Sequence, residues 1–141
     1  MGDNKQPSHR HLLHSMIRVF DLDKSIDFYT RILGMALLRK KDYADGRFTL
    51  AFVGYETEDK GSVIELTHNW DRKQPYDIGD GFGHLAIRCD NLVAFCEYLK
   101  NENVPIPRPP GHMGGKPDGT MLAFIKDPDG YLIELLPRYW D

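Results

Sequence analysis

The distribution of hydrophobic residues predicts short strands and helices, and the same order of segments occurs twice along the chain. The segment HSMIRVFDL, which begins at His14, alternates apolar and polar residues with the period of two that is typical of a β-strand. The segment HLAIRCDNL, which begins at His84, shares His, Ile, Arg and Leu at the same offsets. Two further matches follow in the same order, TLAFV with MLAFI and VIEL with LIEL. The chain therefore contains an internal repeat.

Each copy of the repeat is predicted to contain a strand, a helix and further strands. In the first copy, Asp21 or Asp23 can cap a helix that ends at Gly34. In the second copy, Asp90 or Asn91 can cap a helix. Further strands are predicted over residues 36–40, 48–54, 62–68, 121–126 and 131–136. The predicted fold class is therefore α+β, with two βαβββ modules that form cupped mixed sheets.

The repeat also predicts how the chain is organised. We expect a flexible N-terminal tail over residues 1–11, a first module over 12–69, a linker over 70–81 and a second module over 82–141. Inside the second module, the stretch from Pro105 to Gly119 is rich in proline and glycine, which predicts a mobile loop.

Composition and charge exclude several classes of protein. The 141 residues carry a formal net charge of -3 and no basic run, so we do not expect nucleic-acid binding. The apolar runs are far shorter than the roughly 20 residues that a membrane-spanning helix needs, and the polar N-terminus predicts no signal peptide. Cys89 and Cys96 are the only cysteines, and we expect both to be reduced. The predicted compartment is the cytoplasm.

One histidine and one glutamate recur in each copy of the repeat. His14 and Glu65 belong to the first and last strands of the first module, and His84 and Glu134 occupy the matching positions of the second. The spacing from histidine to glutamate is 51 positions in the first copy and 50 in the second. Strand alternation places these residues opposite the apolar side chains of their strands. Two facing cupped sheets could therefore bring two imidazoles and two carboxylates to one point.

Such a set of donors fits a divalent transition metal. Imidazole and carboxylate favour nickel, cobalt, zinc, manganese or iron over calcium. Four protein ligands leave two positions of an octahedron open, and an open position distinguishes a catalytic site from a structural one. A single histidine or glutamate is more often a core or surface residue. The recurrence of both at matching positions favours the metal-ligand interpretation.

Polar residues on the same strand faces are candidates for substrate binding. Arg18 lies on the face of His14, and Asn69 lies on the face of Glu65 beyond the end of its strand. An arginine can bind a substrate carboxylate, and an asparagine can hydrogen-bond a peptide-like ligand. The alternative to substrate binding is a structural salt bridge for Arg18, and the same choice applies to its repeat counterpart Arg88. For Asn69 the alternative is a role in forming a turn.

Five segments of the chain, taken together, are specific enough to indicate a protein family: LLHSMIRVFDLDKSIDFYTRILGM, LAFVGY, VIELTHNW, GFGHLAI and DPDGYLIELL. With them the chain resembles the glyoxalase I (lactoylglutathione lyase) family of the vicinal oxygen chelate superfamily, from Leu12 to Leu136. The resemblance implies isomerisation of the methylglyoxal–glutathione hemithioacetal to S-lactoylglutathione through an enediolate. It also implies the four metal ligands named above and a homodimer whose active sites lie at the subunit interface, with one ligand pair from each subunit.

The resemblance further implies roles for individual residues. Glu134 is expected to be the main base, and Glu65 is expected to serve the opposite stereoface. Arg18 and Asn69 match positions that hold the glutathione peptide, and Lys116 falls where a lysine approaches its glycyl carboxylate. Because the first ligand is a histidine and the chain is short, the resemblance favours the bacterial type with Ni²⁺, with Co²⁺ or Zn²⁺ as alternatives. Glutathione, trypanothione and bacillithiol stay open as the thiol.

Three other functions are compatible with this fold class. An extradiol-type dioxygenase would use two histidines and one carboxylate on iron, and the second glutamate argues against it. A methylmalonyl-CoA-type epimerase also removes a proton with the help of a metal and is the closest chemical alternative. A non-enzymatic ligand-binding module of the same fold would lack the metal ligands. The metal content of the purified protein would separate this last class from the others.

Overall fold

The structure is a computed structural model that describes residues 10–137. Residues 1–9 of the predicted tail lie outside the described range, and so do residues 138–141 of the predicted second module. Within 10–137, no helix is both long and apolar enough to cross a membrane.

Helices and strands follow one another in the same order in both halves of the chain. The first half contains β1 (His14–Arg18), α1 (Leu22–Asp27), a π-helical turn (Phe28–Ile32), β2 (Ala36–Tyr43), β3 (Phe48–Gly54) and β4 (Val63–Asn69). The second half contains β5 (Leu85–Arg88), α2 (Leu92–Asn101), β6 (Arg108–His112), a 3₁₀ turn (Met113–Gly115), β7 (Met121–Lys126) and β8 (Leu132–Leu136). The strands predicted from the sequence therefore agree with the structure to within a few residues.

Each half forms its own four-stranded mixed sheet. The strand orders are β1-β4-β3-β2 and β5-β8-β7-β6. In both sheets the first strand runs parallel to the last, and the other neighbours are antiparallel. The predicted fold class of two βαβββ modules is confirmed. We retain 12–69 and 82–141 as proposed module boundaries, with 70–81 as the linker.

The helices begin and end at residues whose chemistry suits those positions. The Asp21 carboxylate accepts a hydrogen bond from Lys24 N at 3.1 Å, and the Asn91 side chain accepts one from Ala94 N at 3.3 Å. These bonds satisfy backbone donors that have no partner within the first helical turn. Gly34, at φ 78°, adopts the left-handed conformation that ends the first helical segment. One of the two candidate caps in each module is therefore used.

The stretch from Pro105 to Gly119 is not the continuous loop that its composition predicts. Its middle forms strand β6, which pairs with β7 at the edge of the second sheet. Pro109 and Pro110 lie in this strand, where the register shifts between Arg108 and Gly111. An edge strand tolerates proline because only one of its sides donates hydrogen bonds to the sheet. The loop prediction is wrong for residues 108–112, because a missing N–H donor does not exclude an edge strand.

One hydrophobic core joins the two modules. Tyr29 and Leu66 from the first module and Ile133 from the second are fully buried and belong to the same cluster. Cys96 belongs to this cluster and, like Cys89, is a free thiol, as predicted. The apolar faces of both sheets therefore point toward a common interior, and their other faces point away from it.

Buried polar contacts also connect the modules. The Tyr29 hydroxyl donates to Asp127 Oδ2 at 2.7 Å, and the Tyr131 hydroxyl donates to the Arg18 carbonyl at 2.9 Å. Burial raises the pKa of Asp127 to about 6, although hydrogen bonds from Tyr29 and from the Tyr131 backbone oppose this shift. These contacts attach the turn between β7 and β8 to the first module.

Candidate metal centre

In the first module, His14 and Glu65 lie side by side on neighbouring strands. His14 Nε2 is 3.0 Å from Glu65 Oε2. The parallel register pairs Met16 with Glu65. His14 precedes Met16 by two residues, so its side chain points to the same face of the sheet as Met16 and Glu65. Two donors that are each about 2.1 Å from one metal ion, at a right angle, lie about 3 Å apart. The chemistry and the separation of this pair both fit a transition metal.

The second module contains an equivalent pair. His84 Nε2 is 3.6 Å from Glu134 Oε1. The parallel register of β5 and β8 pairs Ala86 with Glu134, just as the register of β1 and β4 pairs Met16 with Glu65. The histidine side chain is 41% exposed, compared with 30% for His14. The repeated His and Glu of the sequence therefore correspond to two similar pairs in space.

A phenylalanine packs edge-on against each histidine. The ring centroids of His14 and Phe52 are 5.3 Å apart, and those of His84 and Phe124 are 5.2 Å apart, with an interplanar angle of 82° in both cases. Each phenylalanine lies opposite the glutamate of its own module in the antiparallel strand register. The repeated segments TLAFV and MLAFI contain these two residues. The duplication thus covers a histidine, a phenylalanine and a glutamate in each module.

The two pairs are not brought together within one chain. In the part of the chain that the structure describes, no group of three or more His, Cys, Asp or Glu side chains could hold a metal ion. The reason is that the sheets share a core through their apolar faces, whereas the pairs lie on the other faces. Met16, next to the first pair, is 41% exposed. Each pair therefore lies on an outward face of the chain.

The structure distinguishes Arg18 from its repeat counterpart Arg88. Arg88 Nε lies 3.5 Å from Asp90 Oδ1, so this residue makes a surface ion pair. No acidic side chain among residues 10–137 forms an ion pair with Arg18, which is exposed on the same strand as His14. The salt-bridge alternative thus describes Arg88, and the Arg18 guanidinium is accessible to a ligand.

The other two predicted substrate residues lie further along the chain. Asn69 is the last residue of β4, and its Nδ2 donates to the Tyr76 hydroxyl at 2.8 Å. Lys116 directly follows the 3₁₀ turn and is exposed, and its carbonyl accepts a hydrogen bond from Gly119 N at 2.9 Å. Asn69 is therefore held by a polar partner, whereas the Lys116 ammonium extends from the surface of the turn.

Glu58 contacts the first pair and was not identified from the sequence. Its Oε1 lies 3.3 Å from His14 Nδ1, and its Oε2 accepts a hydrogen bond from Arg39 Nη2 at 3.1 Å. Glu58 lies in the connection between β3 and β4, which is longer than the connection between β7 and β8. A comparison of the two repeat copies offers no signal for this residue, because the shorter connection has no matching carboxylate at His84.

Relatives of known family match nearly the whole chain. The sequence model of the Glyoxalase/Bleomycin resistance protein/Dioxygenase superfamily matches residues 11–135. A probable lactoylglutathione lyase of Synechocystis sp. is 54% identical over 125 residues, which are 89% of this chain and 93% of that protein. A lactoylglutathione lyase of Neisseria meningitidis serogroup B is 50% identical over 127 residues, which are 90% of each chain.

Solved structures lead to the same family. Glyoxalase I from Zea mays superposes with a TM-score of 0.84 at 43% sequence identity, over 92% of this chain and 45% of that one. The chain thus spans about half the length of the maize protein. The trypanothione-dependent glyoxalase I of Leishmania major has a TM-score of 0.81 at 41% identity, over 92% of this chain and 87% of that one. The family predicted from the sequence is confirmed: the chain belongs to the glyoxalase I family of the glyoxalase, or vicinal oxygen chelate, superfamily.

Proposed function

We propose that this protein is a lactoylglutathione lyase (glyoxalase I), which isomerises the methylglyoxal–glutathione hemithioacetal to S-lactoylglutathione. The observation that carries the proposal is the duplicated pair, His14 with Glu65 and His84 with Glu134, on outward faces of two equivalent sheets. Relatives that cover about nine-tenths of the chain and are named lactoylglutathione lyase support it. We keep the cytoplasm as the compartment expected from the sequence.

We propose that each active site forms between two copies of the chain. One sheet offers a single imidazole and a single carboxylate, and the shared core keeps the two faces that carry them apart. A second copy that places its second sheet over the first sheet would complete a set of two histidines and two glutamates. Association would also cover exposed apolar residues close to the first pair, such as Leu13 and Met16. A homodimer would then hold two equivalent sites.

For this set of donors we propose Ni²⁺, with Co²⁺ and Zn²⁺ as alternatives. Imidazole and carboxylate ligands suit all three ions. The preference for nickel rests on His14 as the first ligand, which the resemblance associates with the bacterial type. When bound, such an ion acts as a Lewis acid that stabilises negative charge developing on the substrate oxygens.

The protein itself must move a proton between two neighbouring carbon atoms of the hemithioacetal. A carboxylate beside the reacting carbons can remove this proton and return it. We propose Glu134 as the main base and Glu65 as the base for the opposite stereoface. Phe52 and Phe124, each packed beside the histidine and opposite the glutamate of its module, would limit the access of water to the intermediate.

We propose that Arg18, Asn69 and Lys116 bind the peptide part of the thiol. Arg18 is exposed on the strand that carries His14, so its guanidinium can form a charge-assisted pair with a substrate carboxylate. Asn69 offers amide hydrogen bonds from a position oriented by Tyr76. Lys116 would bind the glycyl carboxylate. Glutathione is our proposed thiol, and the trypanothione-dependent relative makes trypanothione the first alternative to test.

The other candidate functions are not favoured. Relatives between 46% and 54% identical are named lactoylglutathione lyase. This similarity argues against a methylmalonyl-CoA-type epimerase. A non-enzymatic binding module has no use for two His–Glu pairs, which argues against that alternative as well.

The proposed function is tested by assaying thioester formation from methylglyoxal. Metal-free protein is reloaded with Ni²⁺, Co²⁺ or Zn²⁺ and supplied with glutathione, trypanothione or bacillithiol. We expect thioester formation to be fastest with glutathione and with nickel or cobalt. No thioester with any combination would reject the lyase. The highest rate with zinc would reject only the proposed metal.

A further inference from the structure

We infer that Glu58 is a positioning residue, which orients the imidazole of His14 so that its Nε2 points toward a metal shared with Glu65. This inference rests on the proposed metal site. It assigns a function to a residue outside the four proposed ligands, in a connection that is longer in the first module than in the second.

The two carboxylates contact opposite edges of the same imidazole ring. Glu58 Oε1 lies 3.3 Å from Nδ1 of His14, and Glu65 Oε2 lies 3.0 Å from Nε2. An ion bound by Nε2 and Glu65 would therefore lie on the far side of the ring from Glu58. A carboxylate only accepts hydrogen bonds, so it favours the tautomer with the proton on Nδ1 and the lone pair on Nε2. Metal-binding histidines commonly donate their second N–H to such a carboxylate.

Glu58 is itself held in place by several contacts. Its Oε2 accepts a hydrogen bond from Arg39 at 3.1 Å, and the Arg39 guanidinium lies over the Phe52 ring at 3.8 Å from the centroid. The same ring packs edge-on against His14. The Glu58 carbonyl is 3.0 Å from Nε2 of His11. Each of these residues therefore contacts the next, from Glu58 through Arg39 and Phe52 to His14 and back to Glu58. These contacts limit rotation of the Glu58 carboxylate and of the His14 imidazole.

The second module lacks this support. His84 packs on Phe124 in the same way, but in the range 10–137 no side chain or carbonyl forms a hydrogen bond with its ring. Its distance to Glu134 is longer, at 3.6 Å. The shorter connection between β7 and β8 carries Asp127, which is buried against Tyr29 instead. The His–Glu pair of the second module therefore forms without such a carboxylate. This contrast indicates that Glu58 orients His14 specifically and is not needed to build the strands.

The test measures the affinity of metal-free protein for Ni²⁺ by competition with a chelator. We expect Glu58→Ala to raise the Kd by about 10–100-fold, the usual effect of removing such a partner. Glu58→Gln should raise it less, because its amide oxygen still accepts a hydrogen bond without the charge. The matched control is Asp59→Asn, an exposed neighbour that makes no ion pair within the described residues and should bind Ni²⁺ like the wild type.

The melting temperature of each metal-free variant is measured in parallel. A residue with only a structural role would lower this temperature and leave the Kd of the folded protein unchanged. A Kd within twofold of wild type for Glu58→Ala overturns the inference. If that variant does not fold, a wild-type Kd for Glu58→Gln overturns it.

His14→Ala in the same assay separates the two possible failures. If His14→Ala loses Ni²⁺ and Glu58→Ala does not, only the positioning role is wrong. If His14→Ala also binds Ni²⁺ as tightly as the wild type, the proposed metal site itself is wrong.

Discussion

The outward-facing His–Glu pairs concentrate the chemistry of this protein in a few side chains. If both pairs bind one ion, the loss of any one ligand must weaken binding and activity severely. We expect His84→Ala to lose most of its bound metal and its turnover. Metal content after dialysis and the rate of thioester formation are the two measurements. Full metal content together with wild-type turnover would exclude His84 as a ligand.

Arg18 and Arg88 form a matched pair for testing substrate recognition. A charge-assisted hydrogen bond from Arg18 to a thiol carboxylate is worth on the order of 1.5–3 kcal/mol. If this bond is equally strong in the ground and transition states, Arg18→Ala raises KM and leaves kcat nearly unchanged.

Arg88→Ala is the control, because this arginine already pairs with Asp90. It should leave KM for the thiol adduct unchanged, and neither variant should change metal content. Steady-state kinetics and thermal melting are measured side by side. An unchanged KM with a lowered Tm for Arg18→Ala would remove this residue from the proposed substrate site.

The turn between β7 and β8 connects the modules through a buried carboxylate whose charge depends on pH. Burial raises the pKa of Asp127 from the ordinary value of an aspartic acid, near 3.8, to about 6. An acid with a raised pKa in the folded state stabilises the protein while it is protonated, and this contribution is lost as pH rises through the folded pKa. We expect the wild type to lose on the order of 2–3 kcal/mol relative to Asp127→Asn between about pH 4 and pH 6.

Denaturant unfolding of the metal-free wild type and Asp127→Asn across this range measures the difference. The comparison removes the contributions of groups that titrate equally in both proteins. A difference in unfolding free energy that is independent of pH would show that Asp127 does not titrate in this window.

The strands illustrate how far hydrophobic periodicity predicts the elements of this fold. Strands β3 and β7 cover the predicted ranges because each is a short, mainly apolar run with buried residues on both of its faces. Strand β6 has two consecutive prolines and no buried residue, so neither periodicity nor composition distinguishes it from a loop. Its existence depends on pairing with β7, which is a tertiary contact.

Complementation between inactive variants tests how the whole molecule assembles. His14→Ala and His84→Ala homodimers should each be inactive, since every site lacks one ligand. If sites form between chains, a heterodimer of the two has one intact site and one doubly damaged site. Random exchange at equal amounts should then restore about a quarter of wild-type activity, because half of the dimers are mixed.

Differently tagged chains verify that subunits have exchanged, and activity is measured on the purified heterodimer. Sites built within one chain would leave every site damaged, so an inactive heterodimer would reject the shared-site arrangement.

The duplication determined most of what could be predicted from the chain alone. Two copies with His and Glu at matching positions indicated two similar sheets with similar pairs, because strand register depends on the local alternation of side chains. The same segments identified the family, which the relatives confirm. These are properties of residues that are close in sequence or that recur at a constant spacing.

Other features depended on contacts between distant parts of the chain. The core that joins the two sheets leaves their His–Glu pairs on outward faces, which no single strand could reveal. Glu58 contacts His14 across 44 positions of sequence from an irregular connection, and within residues 10–137 His84 has no such contact. Periodicity describes which side of an element is buried, whereas packing in three dimensions decides which side chains from different elements meet.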